Sequence, residues 1–440
     1  MRSRTAEPAG VRKAAPKAFV AATVAMALLA VVAMYPSNGV ASTPPPTPVP
    51  PNGSPSPFPT ALRTPTPSAV APKIKAPSAV LEDLGTGQVL YAKKADLRRP
   101  VASITKIMTA LVVLQEASPD EEVVVSARAA GTRASQLGLV KGERISVRQL
   151  LFALLMQSSN DAAVALAEHV GGSVGGFVAM MNRKAEEIGI HRTHFRDPAG
   201  LEDRGYSTAE DMAAVVRAAY TEPLFAPITR TKFHKIPAPS GPPRRIQNRN
   251  ILLWLYPGAI GAKTGFTTPA QHCLVAAADR GGVRLVAVAL GSRGDDAAGV
   301  FDDGAALLNF GYEAFQKTVL VARGQVLGRA MIEGQPVDAV AGEDLIRLLR
   351  KDQLPTVYRA LLLDTGLFLP VVAGQRVGEE VVVIAGKRVG AIEAVASRTV
   401  FRPTPRASPS PEAGPVPTGP LGAALRLLAA VVKSLLDAFL

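Results

Sequence analysis

The 440-residue chain has little cysteine, histidine or charge, and each shortage excludes a class of function. Its single cysteine, Cys273, rules out an intramolecular disulfide and a thiolate metal cluster. Five scattered histidines give no zinc-enzyme pattern. We expect no metal and no organic cofactor. Charged residues make up only 19% of the chain and hydrophobic residues 48%, which excludes wholesale disorder.

The N-terminus indicates an exported protein. Residues 2–17 carry five basic side chains, residues 19–35 form an uncharged apolar run, and small residues follow at 39–41. This order predicts a signal peptide over residues 1–41, although an uncleaved anchor helix is the alternative. We therefore expect the rest of the chain at the extracytoplasmic face of the membrane. A net charge of +13 then suits an anionic wall or membrane, and we expect no nucleic-acid partner.

Two proline-rich stretches separate the folded region from the ends of the chain. Residues 42–77 contain thirteen prolines and predict an extended linker, and residues 402–420 predict a second, shorter one. The last segment, 421–440, is an apolar helical pattern whose three charges share one narrow face. This pattern favours a helix lying on the membrane surface, and docking on the protein's own body is the alternative.

The region between the linkers is predicted to form two domains. In residues 78–317, strand pairs at both ends enclose helical periods, which predicts an α+β domain with one antiparallel sheet flanked by helices. Residues 318–401 predict a small β-rich domain, because short valine-rich runs alternate there with glycines. The expected helices are 104–116, 147–170, 178–188, 209–219 and 297–315; the expected strands are 80–84, 88–92, 273–277, 285–290, 319–321, 367–372, 380–384 and 388–396.

Three short motifs carry the candidate chemistry. They are Ser103-Ile104-Thr105-Lys106, Ser158-Ser159-Asn160 and Lys263-Thr264-Gly265. Each alone is weak, since Ser103 could cap a helix and Lys106 could be an ordinary surface lysine. Together, in this order and in an exported chain, they match the motif triplet of β-lactamases and penicillin-binding proteins.

The spacing of the first motif suits a serine nucleophile. Positions i and i+3 share a helix face, so Lys106 can reach the hydroxyl of Ser103. A serine needs a base, and a lysine can serve as one only if burial or a neighbouring cation lowers its pKa. Apolar neighbours and Lys263 are expected to supply these two effects.

The other two motifs predict the remaining roles. Ser158 can relay a proton to the departing amine, and Asn160 can hold Lys106 and the substrate amide. Lys263 and Thr264 would meet a substrate carboxylate, and Gly265 would let a bound peptide approach. The backbone amides of Phe266 and Ser103 could form an oxyanion hole.

The sequence resembles the low-molecular-mass penicillin-binding proteins, serine-type D-alanyl-D-alanine carboxypeptidases, over residues 78–400. The resemblance implies a peptidoglycan stem peptide ending in D-Ala-D-Ala as substrate and β-lactams as covalent inhibitors of Ser103. It also implies a β-rich C-terminal domain and an amphipathic membrane anchor. The segments that carry it are ASITKIMTAL (102–111), SSNDAAVA (158–165), THFRDPAGL (193–201), YSTAEDMA (206–213), NRNILLW (248–254) and GAKTGFT (261–267).

The chain departs from the family pattern at two positions. Ser159 replaces a usual glycine, and Val300 stands where the family has an arginine near the carboxylate site. Arg293 is one possible substitute, and Arg249 either faces the cleft or has a structural role. His191 and His194 are interpreted as structural.

Three alternatives share the motifs. A D,D-endopeptidase of the same fold would differ in cleft shape, and a penicillin-binding protein without efficient turnover would keep the site. A class A β-lactamase is disfavoured, because the chain lacks an E-x-x-L-N pattern for deacylation.

Overall fold

The computed structural model of the protein describes residues 70–293, 298–352, 357–384 and 386–403, together with residues 419, 423, 427, 428 and 430. The expected signal peptide (1–41), most of both linkers and most of the C-terminal helix (421–440) lie outside the described residues. The predicted domain limits stay predictions. In the described part, no single helix is both long and apolar enough to cross a membrane. Two consecutive helices, Asn160–Gly171 and Val174–Glu187, are together long and apolar enough, but they are bent by 83° relative to each other.

The first part of the chain alternates strands with helices. Its strands are β1 (Ser78–Asp83), β2 (Val89–Lys93), β3 (Glu122–Val124), β4 (Arg144–Ser146), β5 (Phe233–Ile236), β6 (Arg244–Gln247), β7 (Ala259–Thr267), β8 (Gln271–Arg280) and β9 (Val283–Ser292). Its helices are α1 (Lys106–Glu116), α2 (Ala127–Ala130), α3 (Val147–Phe152), α4 (Asn160–Gly171), α5 (Val174–Glu187), α6 (Ala209–Ala219), α7 (Phe225–Arg230), α8 (Leu252–Leu255) and α9 (Ala298–Ala314).

One five-stranded antiparallel sheet organises this part, in the order β2-β1-β9-β8-β7. Strand β1 pairs with β9, with Val80 opposite Val288, so segments from both ends share one sheet as predicted. Strands β8 and β9 are buried on both faces, which explains their nearly continuous apolar sequences. Successive side chains of β8 face the two sides of the sheet. Cys273 packs in the core that contains α1, and Leu274 packs in the core that contains α9. The predicted α+β architecture is confirmed.

The helix expected over residues 147–170 is interrupted, so that prediction is wrong as a single element. A π-helical turn, Ala153–Gln157, follows α3, and Ser158 then adopts a left-handed conformation with φ 64°. Helix α4 begins afresh at Asn160. The helices before and after the break pack against the same core, so the apolar residues keep a helical period across it. The sequence pattern therefore does not reveal the break.

The C-terminal part is rich in strands, as expected. Its strands are β10 (Phe315–Val321), β11 (Val326–Ile332), β12 (Gln335–Ala341), β13 (Leu345–Arg350), β14 (Val357–Leu363), β15 (Arg376–Ile384) and β16 (Lys387–Ala396). They form a β10-β13 pair and a sheet in the order β11-β12-β16-β15-β14. The strand expected at 367–372 is wrong, since only Val371 makes an isolated bridge, to Val400. The two parts meet where the Gln88 side chain makes two hydrogen bonds with the backbone of Leu348.

Candidate active site

Ser103 and Lys106 meet at the start of α1. Ser103 lies in a short 3-10 turn, Ala102–Thr105, that leads directly into the helix. The Nζ atom of Lys106 is 2.9 Å from the Oγ atom of Ser103, and Lys106 is fully buried. Ala102 adopts φ 48°, a conformation that a non-glycine residue rarely takes. Such local strain typically persists only where the surrounding structure holds it.

Three oxygen atoms surround the Lys106 amine. Besides Ser103 Oγ, they are Asn160 Oδ1 at 2.8 Å and the Ala199 carbonyl at 2.7 Å. The last two can only accept hydrogen bonds, so a neutral amine gives its two N–H groups to them. Its lone pair is then left for the hydroxyl proton of Ser103. The arrangement suits a base that removes this proton.

The Ala199 carbonyl is a part of the site that the motifs do not reveal. Both carboxylate oxygens of Asp197 accept backbone N–H groups from residues 199–202 and fix this turn. Gly200 has φ 76°, and a Cβ atom there would lie 2.0 Å from the Ala102 carbonyl oxygen. Only glycine therefore lets the turn pack against the 3-10 turn that carries Ser103. The D-P-A-G sequence is a turn signal, but its target could not be read from it.

Burial changes the protonation of both lysines. It lowers the pKa of Lys106 to about 7; the Asp197 carboxylate opposes this decrease and the Arg249 guanidinium adds to it. Burial also holds the pKa of Lys263 well below its usual range, with Lys106 and Arg249 adding to the decrease. The expected decrease at Lys106 is therefore present, with burial as its main cause. Arg249 adds a positive charge that the sequence had not assigned to this effect, and repulsion between the two lysines lowers the pKa of Lys263.

The second motif is placed by the break between α3 and α4. The π turn and the left-handed Ser158 direct this buried serine into the cleft that Ser103 also lines. The Nδ2 group of Asn160 donates to the carbonyls of Arg133 and Ala134, which turns its Oδ1 atom toward Lys106. The Ser159 hydroxyl, at the usual glycine position, is buried and has no hydrogen-bond partner among the described residues.

The third motif lies on β7, at the edge of the sheet. Lys263 is almost fully buried, and its Nζ atom donates to the Thr264 carbonyl at 2.7 Å. A Cβ atom at Gly265 would lie 3.0 Å from the backbone nitrogens of Ser103 and Ile104. Gly265 therefore makes room for the turn that carries Ser103, a role beyond the expected approach of a peptide. Phe266 is 55% exposed beside this edge.

Residues from all three motifs line one open cleft of about 410 Å³, whereas the buried Lys106, Asn160 and Lys263 are not among its lining residues. Arg249 lines it and is anchored by a 2.9 Å hydrogen bond from Nη1 to Ser135 Oγ. The structure thus places Arg249 in the cleft. Val300 and Phe301 form an apolar part of the wall, whereas Arg293 is exposed beyond β9 and is not a lining residue. The lining residues are Ser103, Ser135, Ser158, Arg249, Thr264, Gly265, Phe266, His272, Cys273, Val300 and Phe301.

His191 and His194 do not line the cleft, and Cys273 is a buried residue of its wall. His194 pairs through its backbone with Tyr206, and His191 is exposed. Burial raises the pKa of the Cys273 thiol to about 11, so this residue is a core thiol rather than a nucleophile. Among the described residues, no group of three or more histidine, cysteine, aspartate or glutamate side chains is arranged to hold a metal ion.

Comparison with known proteins now identifies the family. A family model described as D-alanyl-D-alanine carboxypeptidase matches residues 65–294, half of the chain. The chain belongs to this family. Its members are serine-type hydrolases, so the resemblance read from the motifs is confirmed.

Curated relatives and solved structures extend the match. The chain is 31% identical to D-alanyl-D-alanine carboxypeptidase DacF of Bacillus subtilis, over 69% of this chain and 80% of that one. It is 36% identical to a D-alanyl-D-alanine endopeptidase of Escherichia coli, over 47% and 68%. The structure of penicillin binding protein 5 from Haemophilus influenzae superposes with a TM-score of 0.65 at 28% identity, covering 76% of this chain and 99% of that one.

Proposed function

We propose that the protein removes the terminal D-alanine from peptidoglycan stem peptides ending in D-Ala-D-Ala, through an acyl-enzyme on Ser103. Family membership supports the reaction class. The observation that carries the residue roles is the hydrogen-bonded group of Ser103, Lys106 and Asn160, in which Ser103 lines the same cleft as Thr264 and Gly265 of β7.

Acylation begins when Lys106 takes the hydroxyl proton of Ser103. The Oγ atom then attacks the carbonyl carbon of the penultimate D-alanine, and the backbone amides of Ser103 and Phe266 stabilise the oxyanion. When the tetrahedral intermediate collapses, the C–N bond breaks and the departing amine receives, through Ser158, the proton that Lys106 took from Ser103, which leaves Lys106 neutral again. Free D-alanine leaves, and the remaining peptide is bound to Ser103 as an ester.

Deacylation repeats these steps with water as the nucleophile. Lys106 removes a proton from the water, which attacks the ester carbonyl, and the Ser103 hydroxyl is restored. A β-lactam acylates Ser103 in the same way, but its opened ring keeps the leaving group attached. The resulting ester is expected to hydrolyse slowly, which makes β-lactams covalent inhibitors.

We propose that Arg249 and Thr264 bind the substrate carboxylate, since both line the cleft and Val300 stands where the family has an arginine. Arg249→Gln should lower kcat/KM for a peptide ending in free D-alanine by about 10- to 100-fold. The same peptide with a C-terminal amide offers no carboxylate and should show only the smaller loss that follows from a higher pKa of Lys106. Arg293→Gln is the matched control and should leave both values unchanged. Equal losses on the two peptides would contradict this role.

The reaction itself is tested with a pentapeptide ending in two D-alanines. Incubation with the wild-type protein should release free D-alanine, which an amino-acid assay measures. A D,D-endopeptidase is the second candidate, because the apolar Val300–Phe301 wall offers no cation to a terminal carboxylate. If only cross-linked dimers were cleaved and the pentapeptide stayed intact, the endopeptidase would replace the carboxypeptidase. A protein that is acylated but releases neither product would lack efficient turnover.

We propose an extracytoplasmic location, with the C-terminal helix 421–440 on the membrane surface. The apolar run at 19–35 and a wall substrate support export, and Leu427 and Leu428 are both largely exposed. Deletion of residues 421–440 should move the protein from the membrane fraction to the soluble fraction on cell fractionation. Unchanged membrane association would instead indicate the uncleaved N-terminal helix as the anchor.

A further inference from the structure

A second pocket, of about 260 Å³, lies where the two parts of the fold meet. The turn after β1 and the turn between β8 and β9 form one side, and strands β10 and β13 form the other. We name it the junction pocket and define it by Asp83, Arg284, Lys317 and Arg347, four charged residues that line it. It lies next to the Gln88–Leu348 hydrogen bonds and shares no lining residue with the active-site cleft.

The three basic side chains of this pocket have no acidic partner among the described residues. Neither Arg284, Lys317 nor Arg347 forms an ion pair there, although other arginines of the C-terminal part do, for example Arg329 with Asp338. The one acid in the pocket, Asp83, keeps its negative charge, but both of its oxygens accept hydrogen bonds from neutral donors. Its Oδ1 atom accepts the Gly85 N–H, and its Oδ2 atom accepts the Thr86 hydroxyl at 2.8 Å.

Arg347 is held in place before any ligand arrives. Its Nε donates to the Val389 carbonyl at 2.6 Å, and its Nη1 donates to the Ile346 carbonyl at 2.8 Å. A Cβ atom at Gly390 would lie 2.5 Å from Nη2, so glycine makes room for the guanidinium. Carbonyl groups orient this cation without neutralising it. An arginine fixed in this way loses little conformational entropy when it binds an anion.

We propose that the junction pocket binds a phosphate group, with Arg284, Lys317 and Arg347 as its ligands. Two guanidinium groups and one ammonium bring three positive charges to the pocket, against the single negative charge of Asp83. A phosphate group can accept hydrogen bonds from several donors at once, and the planar fork of arginine matches its oxygens. Arg284 lies on β9, whereas Lys317 and Arg347 lie on β10 and β13, so a bound phosphate would connect the two parts of the fold. This inference does not depend on the proposed reaction.

The test is calorimetric titration of the full chain with inorganic phosphate at constant ionic strength. We expect saturable binding, and Arg347→Gln and Arg284→Gln should each weaken it about tenfold or more. Arg323→Gln removes one exposed arginine of the same part, which lies outside the pocket and forms no ion pair with the described residues, and it should leave binding unchanged. Two variants on opposite sides of the pocket keep the test valid if one of them fails to fold.

Several outcomes would overturn the proposal. One is the absence of saturable phosphate binding by the wild type. Another is that chloride gives the same heat as phosphate. A third is that Arg323→Gln weakens phosphate binding as much as the pocket variants do. Two further probes identify the source of the phosphate: a soluble glycerol phosphate polymer and vesicles containing phosphatidylglycerol. Binding of either that is lost in Arg347→Gln and kept in Arg323→Gln supports the site and identifies its source. Binding unaffected by all pocket variants counts against it.

Discussion

Replacement of Ser103 with alanine is expected to abolish covalent labelling by a fluorescent penicillin. It should also lower D-alanine release from the pentapeptide by at least about three orders of magnitude. The hydroxyl oxygen is the atom that forms the ester in both reactions, and the other groups around Lys106 cannot replace it. Labelling is measured by gel fluorescence after denaturation, which retains covalent adducts alone.

The control for this variant is Ser173→Ala. Ser173 caps helix α5 through its side chain and does not line the cleft, so labelling should persist. The Ser103→Ala protein should fold normally, because Lys106 keeps its bonds to Asn160 and Ala199. Penicillin labelling that survived in Ser103→Ala would refute the nucleophile assignment, since another side chain would then carry the ester.

Local spacing predicted the parts of the site that lie close together in the sequence. The i, i+3 relation of Ser103 and Lys106 needs one turn of helix, and the structure contains it. The apolar pattern of β1 and β9 also predicted a shared sheet, because strands buried on both faces leave a clear signal. Both inferences depend on geometry within a single element or on burial of a whole strand.

Contacts that depend on tertiary packing could not be predicted. Nothing in the sequence shows that the Ala199 carbonyl would lie 2.7 Å from Lys106, since 93 residues separate them. The electrostatic effect of Arg249 on both lysines likewise depends on where the segment before α8 packs, which places Arg249 in the cleft. Local signals describe how a segment folds, and they do not describe which other segment it meets.

The C-terminal strands show a different limit. Strands β11, β12, β13 and β14 were not expected, although short valine-rich runs did indicate β structure nearby. Strand β14, Val357–Leu363, is exposed along most of its length, so its apolar residues follow no inside–outside alternation. In β11 a glycine and an arginine interrupt the apolar run. Weakly buried strands therefore lack the periodic pattern on which prediction depends.

Removal of the Lys106 amine should have an effect as large as loss of the nucleophile. Lys106→Arg keeps a positive charge but cannot accept a proton near neutral pH, and Lys106→Met has no proton acceptor at all. Both variants should lose at least about a thousandfold in kcat/KM for the pentapeptide. With its pKa near 7, about half of Lys106 is neutral at pH 7, compared with roughly one in three thousand for an ordinary lysine.

The lowered pKa of Lys106 also predicts how activity and stability change with pH. Because only the neutral amine accepts the Ser103 proton, wild-type kcat/KM should rise about tenfold per unit below pH 7 and level off above it. Between pH 7 and 10.5 the unfolded chain binds more protons at this lysine than the folded one, so the wild type should gain stability relative to Lys106→Met as pH rises. Two results would show that Lys106 is charged at neutral pH and cannot be the base. They are a kcat/KM that keeps rising up to about pH 10, or a stability difference between the wild type and Lys106→Met that does not change with pH.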